Sequence, residues 1–447
     1  MITILFGLIG LSLVVLVHEF GHFLVARLVG VEVEAFSVGM GPVLFRRKGR
    51  TTEWRLSALP LGGYCKLKGE ESFRKAIEHK LDAIPVEPGD FYAARPGRRI
   101  LIALAGPAVN VLFAILAFAV TAAVGTTFYT APNRILLASE IQRQNEPNPA
   151  DIAGLQTGDT IIEIQGRTIR DYSDLQEIIA SNPDSTLAMK VLRQNQVLEL
   201  TVTPRLDRDT GAGMIGVYAW IDPVIESIAP GSPAALADIR PGDRILEVNG
   251  MPIRATADLI AVFRDAPEKL DIAVARSGET VKTTMVAQNL ADTGITFTAI
   301  KRTERAANPV DALKRGVRQT FDTVTMTVKS IGLLFRGVNV FKAVSGPARI
   351  TYLIGNVTTQ SLRNEGPAGL VQVLSFLAFL SVGLAIMNLL PLPVLDGGLI
   401  LVFLVEIIRR RPLAAASMYR YQFIGAVIVL ALFFMVTMSD ILFFLKK

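Results

Sequence analysis

The sequence predicts an α-helical polytopic membrane protein with about four transmembrane helices and two mixed α/β modules inserted between the second and third. Of its 447 residues, 51% are hydrophobic and only 19% are charged, against about 25% charged residues in an average soluble domain. Four long apolar stretches and a repeated segment in the polar insert are the other two observations. The length accommodates about three domains.

Each of the four apolar stretches is long enough to cross a bilayer core, which takes about 20 residues of helix. They cover residues 2–29, 100–124, 366–395 and 421–439. The first could instead be a cleaved signal peptide, but no Lys or Arg precedes His18, whereas a signal peptide begins with a basic segment. We therefore expect this first stretch to be retained.

The positions of Lys and Arg predict how the chain is oriented. Basic residues cluster between the first two stretches, as at Arg46, Arg47 and Lys48, and between the last two, as at Arg409 and Arg410. Because such an excess marks the cytoplasmic side, both connections are expected in the cytoplasm, with the termini and the insert outside it. The net charge of +6 does not by itself indicate that the protein binds nucleic acid. We expect no nucleic-acid partner.

The insert contains an internal repeat. Gly158-Asp159 and Gly166 recur at a constant offset as Gly242-Asp243 and Gly250, each time around a short apolar run. Two copies are too few for a solenoid, so the pattern indicates two globular modules in tandem. Each module is predicted to contain a turn, a short strand, a second turn at the glycine, a helix and further strands.

Residues 308–341 follow the second module and have the pattern of an amphipathic helix. Apolar residues recur there at steps of three or four: Leu313, Val317, Phe321, Val324, Val328, Ile331 and Phe335. Such a helix can lie on the membrane surface or pack on the modules. Residues 344–367 are glycine-rich and polar, and we expect them to form a connection leading into the third span.

The polar residues near the end of the first apolar stretch have the spacing of a metal site. In His18-Glu19-Phe20-Gly21-His22, both histidines project from one face of a helix, so both imidazoles can bind one metal ion. Glu19 can take a proton from a water on that metal. The motif is short, but ionisable groups in a membrane helix cost at least about 2.5–3.5 kcal/mol each and are rarely idle. A helix rises about 24 Å from Ile2 to His18, which puts the motif toward the cytoplasmic face.

Two histidines leave a tetrahedral zinc ion in need of a third protein ligand and an open position for water. Asp396 is the strongest candidate because it is the only acidic residue between Glu365 and Glu406. It lies in a stretch broken by prolines, whose freed backbone groups need partners. His79, in a polar segment, and Cys65, the single cysteine, remain weaker alternatives. Alternatively, Asp396 could bind no metal and only cap a helix end at the membrane surface.

With these residues, the chain resembles the site-2 protease family of intramembrane zinc metalloproteases, in its bacterial regulator of sigma-E protease type. The resemblance rests on the His-Glu-x-x-His motif at 18–22 and on an Asn-x-x-Pro-x-Pro-x-Leu-Asp-Gly motif at 388–397. The tandem Gly-Asp modules resemble PDZ domains. Pro60-Leu-Gly-Gly-Tyr64 and Gly106-Pro-Ala-Val-Asn110 extend the resemblance to essentially the whole chain.

The resemblance implies a role for each of these positions. It implies that His18, His22 and Asp396 bind Zn²⁺ and that Glu19 activates the water. The residues that it places around the substrate are Asn388, Pro391, Pro393, Gly62, Gly63, Gly106 and Asn110. It makes residues 54–66 a membrane-associated β-loop, to which a substrate segment could add as a strand. From the residues alone, Gly106 could equally be a close helix contact and Asn110 an interhelical hydrogen bond. Leu399 departs from the polar residue expected after Gly397-Gly398, but it is no assigned ligand.

The expected organisation follows from these assignments. The predicted segments are a first membrane-core segment at 1–127, a first PDZ-like domain at 128–221, a second at 222–303, the amphipathic helix and connector at 304–365, and a second membrane-core segment at 366–447. The resemblance implies regulated intramembrane proteolysis in the bacterial inner membrane, with the PDZ-like domains periplasmic and the active site toward the cytoplasm. The expected partners are the lipid bilayer and transmembrane substrates, such as a pre-trimmed anti-sigma factor or signal-peptide remnants.

Two other functions are compatible with the same features. One is a membrane-anchored scaffold whose PDZ-like modules bind partners and whose zinc site is vestigial; the complete set of His18, Glu19, His22 and Asp396 argues against it. The other is a membrane-bound zinc protease that cleaves soluble substrates.

Overall fold

The computed structural model describes residues 2–81, 83–142, 146–264, 268–334, 336–339 and 344–445. The chain divides into two compact units. One unit is Met1–Thr126 with Glu304–Lys447, and the other is Thr127–Thr303.

Helices dominate the first unit and short strands the second. The described α-helices are α1 (Ile2–Leu28), α2 (Glu70–Glu78), α3 (Pro96–Val124), α4 (Ala138–Ile141), α5 (Pro149–Ile152), α6 (Tyr172–Ala180), α7 (Pro233–Leu236), α8 (Asp258–Arg264), α9 (Pro309–Leu334), α10 (Pro347–Glu365), α11 (Leu370–Asn388), α12 (Asp396–Arg409) and α13 (Ala415–Leu445). Short 3-10 turns cover Phe91–Ala93, Ala291–Thr293 and Gly366–Gly369.

The strands form small sheets. Those described are β1 (Val33–Lys48), β2 (Glu53–Leu67), β3 (Thr126–Thr130), β4 (Ile135–Leu137), β5 (Thr160–Ile164), β6 (Arg167–Thr168), β7 (Leu187–Arg193), β8 (Gln196–Val202), β9 (Arg205–Leu206), β10 (Gly213–Met214), β11 (Val217–Ala219), β12 (Ile225–Ile228), β13 (Arg244–Val248), β14 (Met251–Pro252), β15 (Leu270–Arg276), β16 (Glu279–Met285), β17 (Ile295–Phe297) and β18 (Ile300–Glu304).

Within the described residues, four helical stretches are long and apolar enough to cross a membrane, as predicted. They are Ile2–Leu28, Pro96–Val124, Pro347–Asn388 and Ala415–Leu445. The third and fourth spans were predicted at 366–395 and 421–439, and their helices have different ends. Helix α11 ends at Asn388, because the prolines at 391 and 393 cannot continue a helix, and α13 extends beyond both predicted ends.

The prediction of a connector at 344–367 is wrong, because residues 347–365 form helix α10. Its small residues pack against the first span. A Cβ on Gly355 would lie 1.7 Å from the carbonyl oxygen of Thr3, and one on Gly7 would lie 2.0 Å from that of Thr351. Such close approach of backbones is how apolar helices associate in a membrane. The glycines that suggested a loop are therefore helix-packing residues.

The predicted amphipathic helix is present as α9, and inside the first unit it packs against α3 and α11. Its buried residues are Ala312, Gly316, Thr320 and Thr323, and a Cβ on Gly316 would lie 2.5 Å from the carbonyl oxygen of Ile115. Leu313, Val317, Phe321 and Val328 are exposed, Phe321 at 70%, and are available to lipid. Val324 instead packs against the apolar cluster between α3 and α11. The predicted positions Phe335 and 340–341 lie outside the described residues.

The predicted β-loop at 54–66 lies in β2, which pairs with β1. The hairpin folds back on itself, so residues 35–38 have partners both at 53–56 and at 63–66. Gly39 and Gly41 adopt positive φ where β1 bends. The segment therefore has the predicted extended structure.

In the second unit, the two sequence repeats fold into sheets of the same topology. The strand order is β6-β5-β7-β8 in the first and β14-β13-β15-β16 in the second. The repeated Gly-Asp has a structural reason. Asp159 accepts two hydrogen bonds from the Arg193 guanidinium, and Asp243 accepts two from that of Arg276. Each aspartate also accepts a backbone N–H of the preceding turn, so its buried carboxylate is satisfied.

Candidate metal centre

Helix α1 presents the His-Glu-x-x-His motif on the face that packs inside the first unit. The Nε2 atoms of His18 and His22, one helical turn apart, are 3.1 Å from each other. His18 is buried, with 5% of its surface exposed. Gly21 lets α3 approach this face, because a Cβ there would lie 2.4 Å from the carbonyl oxygen of Ala105.

Asp396 comes to the same point from the other end of the chain, at the first residue of α12. One of its carboxylate oxygens, Oδ2, lies 3.2 Å from His18 Nε2, and Oδ1 lies 3.6 Å from His22 Nε2. The three side chains form a group whose potential ligand atoms all lie within 4.8 Å of one another. Residues almost four hundred positions apart therefore converge.

The donor set and its spacing fit zinc. Two imidazoles and one carboxylate are common ligands of a catalytic zinc ion, which keeps its fourth position open. At bond lengths of about 2.0–2.1 Å, two ligands of a tetrahedral zinc ion are about 3.3 Å apart, close to the separations at His18, His22 and Asp396. Asp396 Oδ2 is also buried without a hydrogen-bond partner in the described residues, as expected of an oxygen that binds a cation.

The turn between α11 and α12 sets the position of Asp396. Pro391 and Pro393 lie in this turn, and Val394 has a φ of 82°, a rare conformation for a β-branched residue. The two glycines after Asp396 are required by packing: a Cβ on Gly397 would lie 2.2 Å from the Leu389 carbonyl oxygen. The Asp-Gly-Gly sequence therefore lets α12 begin directly against the turn.

Glu19 is held from the β-hairpin. The backbone N–H of Cys65 in β2 donates a hydrogen bond to Glu19 Oε2, at 3.0 Å. This contact orients the carboxylate beside the two histidines. Because the donor is a backbone group, no side-chain pattern in the sequence could have predicted it.

A backbone carbonyl orients His22. The Nδ1 of His22 lies 2.8 Å from the carbonyl oxygen of Ile102 in α3. A hydrogen on Nδ1 leaves Nε2 free to bind a metal. The carbonyl carries no signature in the sequence, so this partner was also missed.

Three further predicted site residues also lie against the histidines. Asn388 ends α11 with its Nδ2 3.3 Å from His18 Nε2. Asn110 is fully buried, and its Nδ2 lies 3.2 Å from His18 Nδ1. A Cβ on Gly106 would lie 2.5 Å from His22 Nε2 and 2.7 Å from His18 Nε2. The structure thus brings Asn388, Asn110 and Gly106 to the histidines.

Gly62 and Gly63 lie where β2 passes α1. A Cβ on Gly62 would lie 2.7 Å from Cγ1 of Val15, and one on Gly63 would lie 2.4 Å from the carbonyl oxygen of Ser37. Ser12 adds a polar contact by donating to the Pro60 carbonyl and accepting from the Gly62 N–H. Gly62 therefore allows the hairpin to approach the first helix, and Gly63 allows β2 to pass close to β1.

The two weaker candidates for a third ligand do not join the group. His79 is exposed at the end of α2, where its Nδ1 lies 3.1 Å from the Lys75 carbonyl oxygen. Cys65 faces Glu19 through its backbone, and burial raises the pKa of its thiol to about 12. Among the described residues, the group of potential metal ligands is His18, His22 and Asp396, without Cys65.

Long apolar helices that enclose two histidines, a glutamate and an aspartate define a membrane metalloprotease. The model of peptidase family M50 matches residues 6–432. The chain is 39% identical over 448 residues to a protein of Treponema pallidum (strain Nichols) named as a zinc metalloprotease, with 99% of each chain covered. It is 30% identical over 458 residues to the regulator of sigma-E protease of Escherichia coli (strain K12), with 97% of each covered.

The chain therefore belongs to peptidase family M50, the site-2 protease family, and is a zinc metalloendopeptidase. This membership confirms the predicted enzyme class and zinc dependence. It also identifies the protein as a protease that acts in the membrane.

Proposed function

We propose that the protein hydrolyses peptide bonds within transmembrane segments of other membrane proteins, in regulated intramembrane proteolysis. One observation carries the proposal: His18, His22 and Asp396 meet inside the apolar helical unit, with potential ligand atoms within 4.8 Å of one another. His18, Glu19 and His22 lie on a helix long and apolar enough to span a bilayer. Ionisable groups within a membrane-spanning helix are costly and are rarely without a function.

We propose that His18, His22 and Asp396 bind the zinc ion. A bound zinc ion supplies a Lewis acid that polarises the scissile carbonyl and makes water acidic. Glu19 then acts as the general base, taking the proton of the attacking water on its carboxylate. The same carboxyl group delivers that proton to the amide nitrogen as the C–N bond breaks. The hydrogen bond from Cys65 N–H holds Glu19 Oε2 in place for both transfers.

We propose that Asn388 stabilises the charge that develops on the carbonyl oxygen. Its amide nitrogen lies 3.3 Å from His18 Nε2 and thus beside the reacting centre. A fixed amide donor is a common stabiliser of an oxyanion. Pro391 and Pro393 would support the substrate indirectly, by ending α11 at this point.

We propose that the substrate adds to β2 as an extended strand. A transmembrane helix has to unwind before its peptide bond is cut, and its freed backbone groups then need partners in lipid. Strand β2 passes Glu19, to which Cys65 donates, so a segment paired along 54–66 would lead to the catalytic carboxylate. Gly62 would serve this arrangement by keeping the hairpin close to α1, and Gly63 by keeping β2 close to β1.

We propose that the two repeats are PDZ-like domains that screen substrates. A cavity of about 410 Å³ in the first repeat runs between α6 and the segment 213–218. Leu175 and Ile179 line one side, and Gly213, Ile215 and Val217 line the other. A groove between a helix and an extended segment suits a peptide that binds by β-augmentation.

We further propose a bacterial inner-membrane location, with the PDZ-like domains periplasmic and the active site toward the cytoplasm. The distribution of Lys and Arg supports this orientation. Substrates would be an anti-sigma factor trimmed by an earlier protease, or signal-peptide remnants. The name of the Escherichia coli relative supports the former.

The test is cleavage in liposomes of a single-span substrate, compared with its soluble fragment. The unmodified protein is expected to cut the spanning substrate and to lose activity with a zinc chelator. Glu19→Gln should retain zinc but lose at least about 10²-fold in rate, since it removes the general base. Preferential cleavage of the soluble fragment would contradict intramembrane proteolysis, and unchanged turnover of Glu19→Gln would contradict the role of Glu19.

A further inference from the structure

Asn110 is the polar side chain on α3 that lies directly behind His18. It is fully buried, at 0% exposure, and its Nδ2 lies 3.2 Å from His18 Nδ1. Its backbone carbonyl accepts a hydrogen bond from Ser381 Oγ of α11, at 3.2 Å. The side-chain oxygen Oδ1 is buried and has no hydrogen-bond partner in the described residues.

The chemistry of a metal-binding histidine indicates what this amide does. An imidazole that binds a metal through Nε2 carries its hydrogen on Nδ1, and that N–H needs an acceptor. For His22 the acceptor is the Ile102 carbonyl, 2.8 Å from Nδ1. His18 presents Nε2 to Asp396 in the same way, and the side chain at its Nδ1 is that of Asn110.

A carboxamide has two orientations, related by a half-turn about the Cβ–Cγ bond. Only one of them puts the acceptor Oδ1 of Asn110 at His18 Nδ1. That orientation gives the unpartnered Oδ1 a donor and gives the Nδ1–H an acceptor. The opposite orientation, with Nδ2 toward His18 Nδ1, leaves Oδ1 buried and unsatisfied by any described residue, which is unfavourable.

We propose that Asn110 is a positioning residue for the zinc site, which accepts the Nδ1–H of His18 and thereby fixes the ring with Nε2 toward the metal. This inference rests on the proposed zinc ligands and replaces the expectation that Asn110 binds substrate. Helix α3 then supports both histidines from one face. Ile102, Gly106 and Asn110 follow one another at four-residue steps and lie against His22, both rings and His18 respectively.

Metal binding by the purified full-length protein tests the proposal without relying on activity. Zinc affinity is measured by competition with a chelator of known affinity, and the visible spectrum of the Co²⁺-loaded protein reports ligand geometry. Asn110→Leu and the smaller Asn110→Ala should each weaken zinc binding by about 10–100-fold, as loss of such an outer partner does. Asn110→Asp, whose carboxylate also accepts an N–H, should retain the affinity and the Co²⁺ spectrum of the unmodified protein.

Ser381→Ala is the matched control, because it removes a contact to the Asn110 backbone and leaves the side chain in place. It should leave zinc affinity unchanged. The proposal is overturned if the unmodified protein binds zinc while Asn110→Leu or Asn110→Ala, folded as judged by gel filtration, binds it equally well. Failure of the unmodified protein to bind zinc through His18, His22 and Asp396 would instead overturn the proposed function itself.

Discussion

Gly106 is the residue that most directly limits the space of the metal centre. It contributes no side chain, yet a Cβ at this position would touch both imidazoles, at 2.5 Å from His22 Nε2 and 2.7 Å from His18 Nε2. Helix α3 can therefore pack on α1 at the histidines only where it carries glycine. The sequence left open whether this residue contacts substrate or a helix, and its surroundings favour the helix.

Gly106→Ala should therefore displace the histidine rings. We expect weaker zinc binding and a loss of about 10²-fold in cleavage rate, the usual effect of a misplacement of about 1 Å. Gly383→Ala in α11 is the matched control, because a Cβ there meets nothing within 4 Å, and it should retain zinc and activity. Equal behaviour of the two variants would contradict the packing role of Gly106.

The residue scale also shows which parts of the candidate site the sequence could suggest. His18, His22 and Asp396 were predicted as a group because histidines four residues apart and an acidic residue in an apolar stretch are unusual. The groups that orient them, the Ile102 carbonyl and the Cys65 N–H, are backbone atoms. Any residue type supplies such atoms, so their positions depend on the fold and not on the local sequence.

At the scale of elements, a buried ion pair joins the helix that supports the histidines to the helix that carries Asp396. Arg99 of α3 lies 2.6 Å from Glu406 of α12, and the two side chains are only 6% and 3% exposed. Glu406 also accepts the backbone N–H of Leu413, and the Arg99 guanidinium lies 4.6 Å from the Phe403 ring centre. The pair fixes α12 relative to α3.

Arg99→Met should destabilise the folded protein by about 3–5 kcal/mol, because it leaves the Glu406 carboxylate buried without its cation. Adding Glu406→Leu should recover much of this loss, since no unpaired charge then remains. The measurement is the thermal unfolding midpoint in detergent for the two single variants and the double variant. Independent, additive effects of the two substitutions would show that the pair is not coupled.

The role of the β-hairpin formed by β1 and β2 can be tested separately from zinc binding. If substrate adds along β2, Tyr64→Pro should depress cleavage, because proline removes a backbone donor from the strand next to Glu19. Zinc content should stay unchanged. Arg50→Pro, in the exposed turn between β1 and β2, is the control and should cleave normally. Cleavage by Tyr64→Pro at the unmodified rate would exclude strand addition there.

The segment 344–367 shows that amino-acid composition alone does not reveal whether a segment is helical. Residues 344–367 looked like a connector because they contain glycine, threonine and asparagine, which are weak helix formers in water. In α10 the glycines meet the backbone of α1, and Thr351 and Thr358 donate to carbonyl oxygens of their own helix. Packing against α1, which the local sequence does not reveal, therefore stabilises this segment as a helix.

At the scale of the whole molecule, the chain was predictable as apolar helices with an inserted tandem repeat. Hydropathy revealed the spans, and the constant offset between Gly158-Asp159 and Gly242-Asp243 revealed the repeats. Helix α9 was predicted as well, but not its packing, which uses Gly316, two threonines and Val324 while most of its apolar stripe stays exposed. Contacts between distant segments depend on shape complementarity, which periodicity does not encode.

The most direct test of the central claim is X-ray absorption at the zinc edge of the purified full-length protein. We expect one zinc ion per chain with two imidazole nitrogens and a carboxylate oxygen in its coordination shell, and loss of the carboxylate in Asp396→Ala. A sulfur ligand from Cys65, or an unchanged shell in Asp396→Ala, would contradict the convergence of His18, His22 and Asp396 on one metal ion.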